Sequence, residues 1–180
     1  MSYTIHDGMK VSGFSRSTLA AAVAKSWIPM RHMNVENGKK RPFDKTDLVW
    51  IHVVAGLRAI GVPWDALPQI FTDCGLFSDG WCKSLTDLFP NEAATRARWV
   101  KEYPSATPEE LAPVLCVSHS LWSSFFRVVE RVNGEVQPGE LRGRIMPLAL
   151  VIDFLRSGDG GVLLFNLDEI TVIVEQRLAE

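Results

Sequence analysis

The chain is poor in cysteine, and its cysteines are badly placed for chemistry. Cys74, Cys82 and Cys116 are odd in number and include no close pair, which speaks against a disulfide framework. No Cys-x-x-Cys or His-x-x-x-His spacing occurs, and His119 is the only histidine beyond residue 70, so neither a metal site nor a bound cofactor is expected. The thiols read as small hydrophobes in a core. Long apolar runs are missing too: no stretch approaches the ~18 continuous apolar residues of a membrane span. The segment Met1-Ser2-Tyr3-Thr4-Ile5-His6-Asp7 has neither the basic nor the apolar part of a signal peptide. A cytoplasmic location is the expectation that follows.

Catalytic signatures are equally scarce. Ser118-His119-Ser120 lies near Cys116, and Asp153 or Asp168 would be needed to complete a triad, but no Gly-x-Ser-x-Gly turn surrounds either serine. Ser157-Gly158-Asp159-Gly160-Gly161 has no strand before it and no lysine after it, so it reads as a plain turn and not a phosphate-binding loop. An enzyme is therefore not expected. The sequence also contains no internal repeat and no low-complexity tract.

What is present is an ordinary globular composition, 47% hydrophobic and 22% charged, over a length that suits one medium or two small domains. The net charge of −2 hides an asymmetry. Residues 1–70 hold nine Lys and Arg against five Asp and Glu, giving +4, while residues 71–180 hold ten against sixteen, giving −6. A basic head on an acidic body confines any nucleic-acid contact to the head, because the body repels phosphates.

The head carries a sequence of local signals. Gly13 tolerates the positive φ of a tight turn, and Ser15 or Ser17 can accept from the free N–H groups opening a helix that runs from about Arg16 to Ser26. Leu19, Val23 and Trp27 recur at four-residue spacing and form its buried face, leaving Arg16, Ser17 and Lys25 for a partner; Pro29 stops the element. Asn37-Gly38 is a strong hairpin signal, flanked by Arg31, His32, Lys39, Lys40 and Arg41, and a small basic hairpin beside a helix reads as a wing that contacts phosphate. Asp44 then caps a helix with Leu48, Ile51, Val54, Ala55 and Leu57 at helical spacing, Phe43 as its staple and Gly61 as its end. Trp64, Leu67, Ile70 and Phe71 form the apolar side of a short following helix, with Pro68 in its middle as a counter-signal.

The order Ser15-Arg16-Ser17-Thr18-Leu19, a short wing, Arg41-Pro42-Phe43 with Asp47-Leu48, and Leu57 through Leu67 resembles the MerR-type winged-helix DNA-binding domain. The resemblance extends to about residue 70 and says nothing of the remainder. It implies that Ser15, Arg16, Ser17, Thr18 and Lys25 on the second helix, with Arg31, His32, Lys39, Lys40 and Arg41 in the wing, meet double-stranded DNA, and that the protein acts as a homodimer. The chain departs from it twice. Ala20, Ala21 and Ala22 stand where such regulators carry an arginine and an aromatic, and Gly75, Gly80 and Pro90 interrupt the segment where their long dimerising helix starts.

Beyond the head, residues 74–95 read as a connector rich in Gly, Asp, Ser and Pro with one short helix. Arg96 to Tyr103 alternates and reads as a strand ended by Pro104, and Thr107-Pro108-Glu109-Glu110 opens a helix that Pro113 shortens or kinks. Leu115 to Val132 fits either helix or strand and closes at Asn133-Gly134. After Pro138-Gly139, Leu141 to Leu155 places Ile145, Leu148, Ala149, Ile152 and Leu155 on one helical face and reads as a single buried helix. Gly161 to Phe165 reads as a short buried strand, and Asn166 or Asp168 caps a last helix in which Ile170, Val174 and Leu178 repeat.

The resulting expectation is a mainly α or α+β chain: a winged helix-turn-helix over 1–73, a connector over 74–95, and a small α+β dimerisation or effector domain over 96–180. Sequence-specific transcriptional regulation is the function this implies. The alternative is a protein-interaction module built on a degenerate helix-turn-helix, for which the three alanines at 20–22 argue.

Overall fold

The computed structural model describes residues 2–30, 42–74, 92–119, 131–132, 135–136, 141–156 and 163–180. They are mainly helical with one small three-stranded antiparallel sheet, and none of their helices is long and apolar enough to cross a membrane.

The N-terminal elements form where the local chemistry places them. Helix α1 (Ile5–Ser12) opens on a capping box in which the Thr4 backbone N–H and hydroxyl both donate to Asp7, holding that carboxyl below the usual carboxylate range. Gly13 ends α1 at φ 74°, and Ser15 caps α2 (Arg16–Ala24) by accepting from the Thr18 N–H. The second helix stops earlier than Pro29 would require. Ser26 takes the left-handed conformation (φ 55°), its N–H donates to the Val23 carbonyl, and the Trp27 N–H reaches back to that of Ala22. This is a Schellman closure with serine in the place where glycine is usual.

Helix α3 (Lys45–Ala59) has the expected Asp44 cap, completed by Asp47 as a reciprocal partner. Its residues Leu48, Val49, Trp50, Ile51, Val53, Val54 and Leu57 are all buried, so apolar contact surrounds most of its circumference and makes it the centre of the molecule. Gly61 (φ 94°) closes it by the same Schellman pattern, donating to Arg58 while Val62 donates to Leu57. A 3-10 turn (Trp64–Ala66) then leads into α4 (Leu67–Asp73). Pro68 therefore falls in the first helical turn and not mid-helix, where its missing N–H costs nothing.

Three secondary-structure assignments in the second half are corrected. Arg96–Tyr103 is not a strand: it belongs to helix α5 (Glu92–Glu102), in which Trp99 is 5% exposed and its neighbour Val100 is 53% exposed. The helix formers Glu92, Ala93 and Ala94 precede Arg96 in the same element, and Arg98 and Glu102 pair across one turn at 3.5 Å. Thr107–Glu110 makes a single turn and no helix. Thr107 and Glu110 satisfy each other's backbone N–H groups, but Pro113 begins strand β1 (Pro113–His119) and removes the donor that a continuing helix would need. Leu141–Leu155 is not one helix. It is divided at Pro147 into strand β4 (Leu141–Pro147) and helix α6 (Leu148–Arg156), whose first N–H groups donate to the carbonyls of Ala112 and Glu110.

The ambiguous Leu115 segment is strand through His119, at the centre of a sheet ordered β4-β1-β5, with β5 at Leu163–Asn166. Leu115 stands opposite Ile145 and Phe165 in the antiparallel registers. A separate two-stranded ladder pairs β2 (Arg131–Val132) with β3 (Glu135–Val136). Of the expected short strand at Gly161–Phe165, residues from Leu163 onward are strand, with Leu164 37% exposed and so not buried. Asn166 caps the last helix α7 (Leu167–Ala179) by accepting from the Asp168 and Glu169 N–H groups, and Ile170 and Val174 are buried as their spacing predicts.

Strand β1 is covered on both faces. Val114 and Cys116 pack with Met146 and Val151 toward α6, while Leu115 and Val117 join Ile170 and Val174 of α7 in the same core as the head. Burial pushes the Cys116 thiol up to about 12. Helix α7 is tied to the head by polar contacts as well. The Val11 carbonyl accepts from both His52 Nδ1 (2.7 Å) and Arg177 (2.6 Å), and Lys45 pairs with Glu175.

Candidate nucleic-acid interface

The two N-terminal helices are joined by Gly13-Phe14-Ser15, and their packing is close. A Cβ on Gly8 of α1 would stand 2.8 Å from Leu19 Cδ2 of α2 and 3.3 Å from the Phe43 ring, so glycine is what lets the helices meet there. Leu19 and Ala22 turn inward and are fully buried, and Val23 is half-buried. Arg16, Ser17, Ala20, Ala21, Ala24 and Lys25 are exposed. At helical spacing these form one stripe, cationic at both ends and lined with methyl groups between.

The expected site residues take different roles. Ser15 is the N-cap, and its hydroxyl lies 3.0 Å from that of Ser17 and 2.8 Å from that of Thr18. Ser15 and Thr18 are thus engaged in holding the first turn of α2, whereas the Arg16 side chain projects into solvent. Lys25 is the C-cap residue, nine positions on. Arg31, His32, Lys39, Lys40 and Arg41, with the Asn37-Gly38 turn, lie outside the described residues. Their flank is fixed, however: Tyr3 and Phe43 pair as an antiparallel bridge, with Tyr3 N–H to Phe43 O at 2.7 Å and Phe43 N–H to Tyr3 O at 2.9 Å.

An aromatic and cationic cluster at the far end of α2 was not legible in the sequence. Trp27 and Trp64, both assigned by spacing to buried helix faces, are half-buried and stack on each other at 5.1 Å with 21° between planes. Lys25 Nζ lies 4.6 Å from the Trp27 ring centre, and the Arg58 guanidinium lies 4.9 Å from that of Trp64. Phe14, in the turn before α2, meets Trp64 at 5.5 Å. Both ends of α2 are thereby braced on one ring cluster.

Elsewhere the chemistry is sparse. Among the described residues no group of three or more His, Cys, Asp and Glu side chains is placed to hold a metal ion. Cys74 is half-buried and Cys116 buried, neither of them in a disulfide, and Cys82 lies outside the described residues, as do the side chains of Ser118, His119 and Asp153. A cleft of about 440 Å³ is bounded by Glu102, Tyr103, Glu110, Ala149 and Ile152. The chain matches no family model and no curated protein.

Proposed function

We propose that the chain is a sequence-specific DNA-binding transcriptional regulator whose N-terminal helix pair acts as a winged helix-turn-helix on double-stranded DNA. The observation that supports this reading is the exposed stripe of α2, with Arg16 at its N-terminal end, three exposed alanines along it and Lys25 at its C-terminal end. The first turn of such a helix reaches base edges in the major groove, where arginine pairs with guanine and methyl groups meet the thymine methyl. The basic run from Arg31 to Arg41 is the wing of this reading, and the +4 charge of residues 1–70 supplies the phosphate attraction. One winged helix reads too few bases to find a unique genomic site. A homodimer on half-sites about one helical turn apart is the working form, with residues 96–180 supplying dimerisation or signal input.

The test is fluorescence anisotropy with arbitrary duplex DNA at several salt concentrations. Micromolar affinity that falls steeply with salt is expected. Arg16→Ala is expected to cost roughly 1–3 kcal/mol at one base position of a selected site, whereas Lys39→Ala, Lys40→Ala and Arg41→Ala weaken all sequences alike. The exposed alanines of α2 would equally suit a protein-binding face. Absence of salt-dependent duplex binding overturns the regulator in favour of that module, and a strict monomer on DNA by sedimentation removes the dimer.

A further inference from the structure

We infer that Lys25 and Arg58, each seated against one ring of the Trp27–Trp64 stack, form a clamp for the DNA phosphate backbone at the C-terminal end of α2. The inference rests on the DNA-binding reading above and adds to it a contact made by α3, an element to which that reading assigns no role.

The clamp is built by two helix ends that close in the same way. Helix α2 ends on the Schellman turn at Ser26 and α3 on that at Gly61, and each turn redirects the chain so that a tryptophan emerges just past its helix, Trp27 in one case and Trp64 in the other. The two rings stack, with Lys25 over Trp27 and Arg58 over Trp64. A core pair would be fully enclosed, but these rings are half-buried and Lys25 is exposed.

The chemistry of each cation favours an anionic oxygen as its next partner. A guanidinium laid against a ring keeps its edge N–H groups free, because stacking uses its face. Arg58 donates from one terminal nitrogen to the Val62 carbonyl, which leaves the remaining donors to a bidentate acceptor such as phosphate. No carboxylate pairs with Lys25 or Arg58 among the described residues, and the only acid between Arg58 and Leu67 is Asp65, which is exposed. The ring cluster thus holds two charges in place before any ligand arrives, which lowers the ordering cost of binding.

Scale agrees with a backbone contact. The nine residues of α2 span roughly 13 Å at 1.5 Å per residue, and the major groove is about 12 Å wide. With Arg16 at the base edges, Lys25 and the adjoining stack stand at the groove wall, where the phosphates are.

The experiment measures duplex affinity against salt for the full-length chain and for Lys25→Gln, Arg58→Gln, Arg58→Lys and Lys101→Gln, with thermal melts to verify folding. Lys25→Gln and Arg58→Gln are each expected to lower the slope of log K against log salt by about 0.9, and to weaken every duplex by a similar factor. Arg58→Lys keeps the charge and restores the slope, which separates the phosphate contact from a packing role. Lys101→Gln, on α5, leaves the slope unchanged. If the native chain binds with a steep salt slope but Lys25→Gln and Arg58→Gln behave like Lys101→Gln, the clamp is wrong and the regulator stands. A change in sequence preference on losing Arg58 would also overturn it, since phosphate contacts carry no base information. Failure of the native chain to bind any duplex overturns both.

Discussion

Replacing Gly56 by alanine tests whether the C-terminal third of the chain is seated on the head. Gly56 lies in the interior of α3, where alanine is ordinarily worth ~1 kcal/mol more than glycine because the helix loses less backbone entropy. Here the added Cβ would stand 2.7 Å from Phe165 Cε1 and 3.5 Å from Cζ, far inside contact distance. Phe165 sits near the end of β5, one residue before the Asn166 cap of α7, so its ring has little freedom to withdraw without moving that junction. Overpacking of this kind costs about 1–3 kcal/mol, which outweighs the propensity gain. Gly56→Ala is therefore expected to destabilise by about 1 kcal/mol, lowering Tm by roughly 2–4 °C in a chain of this size. In a Phe165→Ala background the clash is gone, and the same substitution should instead stabilise by ~1 kcal/mol. The two sites are thus coupled by about 2 kcal/mol in a double-mutant cycle read by calorimetry. A rise in Tm from Gly56→Ala alone would refute the argument, because it would mean that the β5–α7 junction does not press on α3.

Two further expectations follow from backbone conformation and burial. Ser26→Gly should stabilise by about 0.5–1 kcal/mol, because a left-handed non-glycine residue costs about 1–2 kcal/mol and glycine returns part of that as entropy; the urea midpoint should rise with an unchanged m-value. In a chain carrying Cys74→Ser and Cys82→Ser, the remaining Cys116 should react with a thiol reagent only as fast as the protein opens. Its stability relative to Cys116→Ala should fall as pH rises from about 9 toward 12. The unfolded chain gives up the thiol proton in that range, while the buried thiol, pushed up to about 12, keeps it. A fast native reaction, or a flat difference across that range, would show that Cys116 is accessible.

What the sequence determined by itself is whatever depends on neighbours within four or five residues. Asp44, Asn166 and Ser15 cap their helices because a short oxygen-bearing side chain meets free N–H groups two or three positions on. Gly13 and Gly61 end theirs because only a left-handed residue closes the last turn, and the periodicity of α3 and α7 is the imprint of a buried face. Of the stripe on α2, the outward placement of Arg16, Ser17 and Lys25 was legible on the same grounds, whereas Ala22, one of the three alanines at 20–22, is buried.

Only the tertiary structure decided the rest, because there the partner that satisfies a residue is remote. Arg142 and Arg144 alternate with Leu141, Gly143 and Ile145, yet the run is strand only because β1 offers its hydrogen bonds across more than twenty residues of chain. Thr107-Pro108-Glu109-Glu110 has a good helix start, but the chain is more stable turning into the central strand, where Leu115 and Val117 reach the core shared with the head. The Trp27–Trp64 stack and its two cations follow the same rule. Lys25 with Trp27 and Arg58 with Trp64 are unremarkable pairs in sequence, and they become one surface only because the ends of α2 and α3 meet there in space.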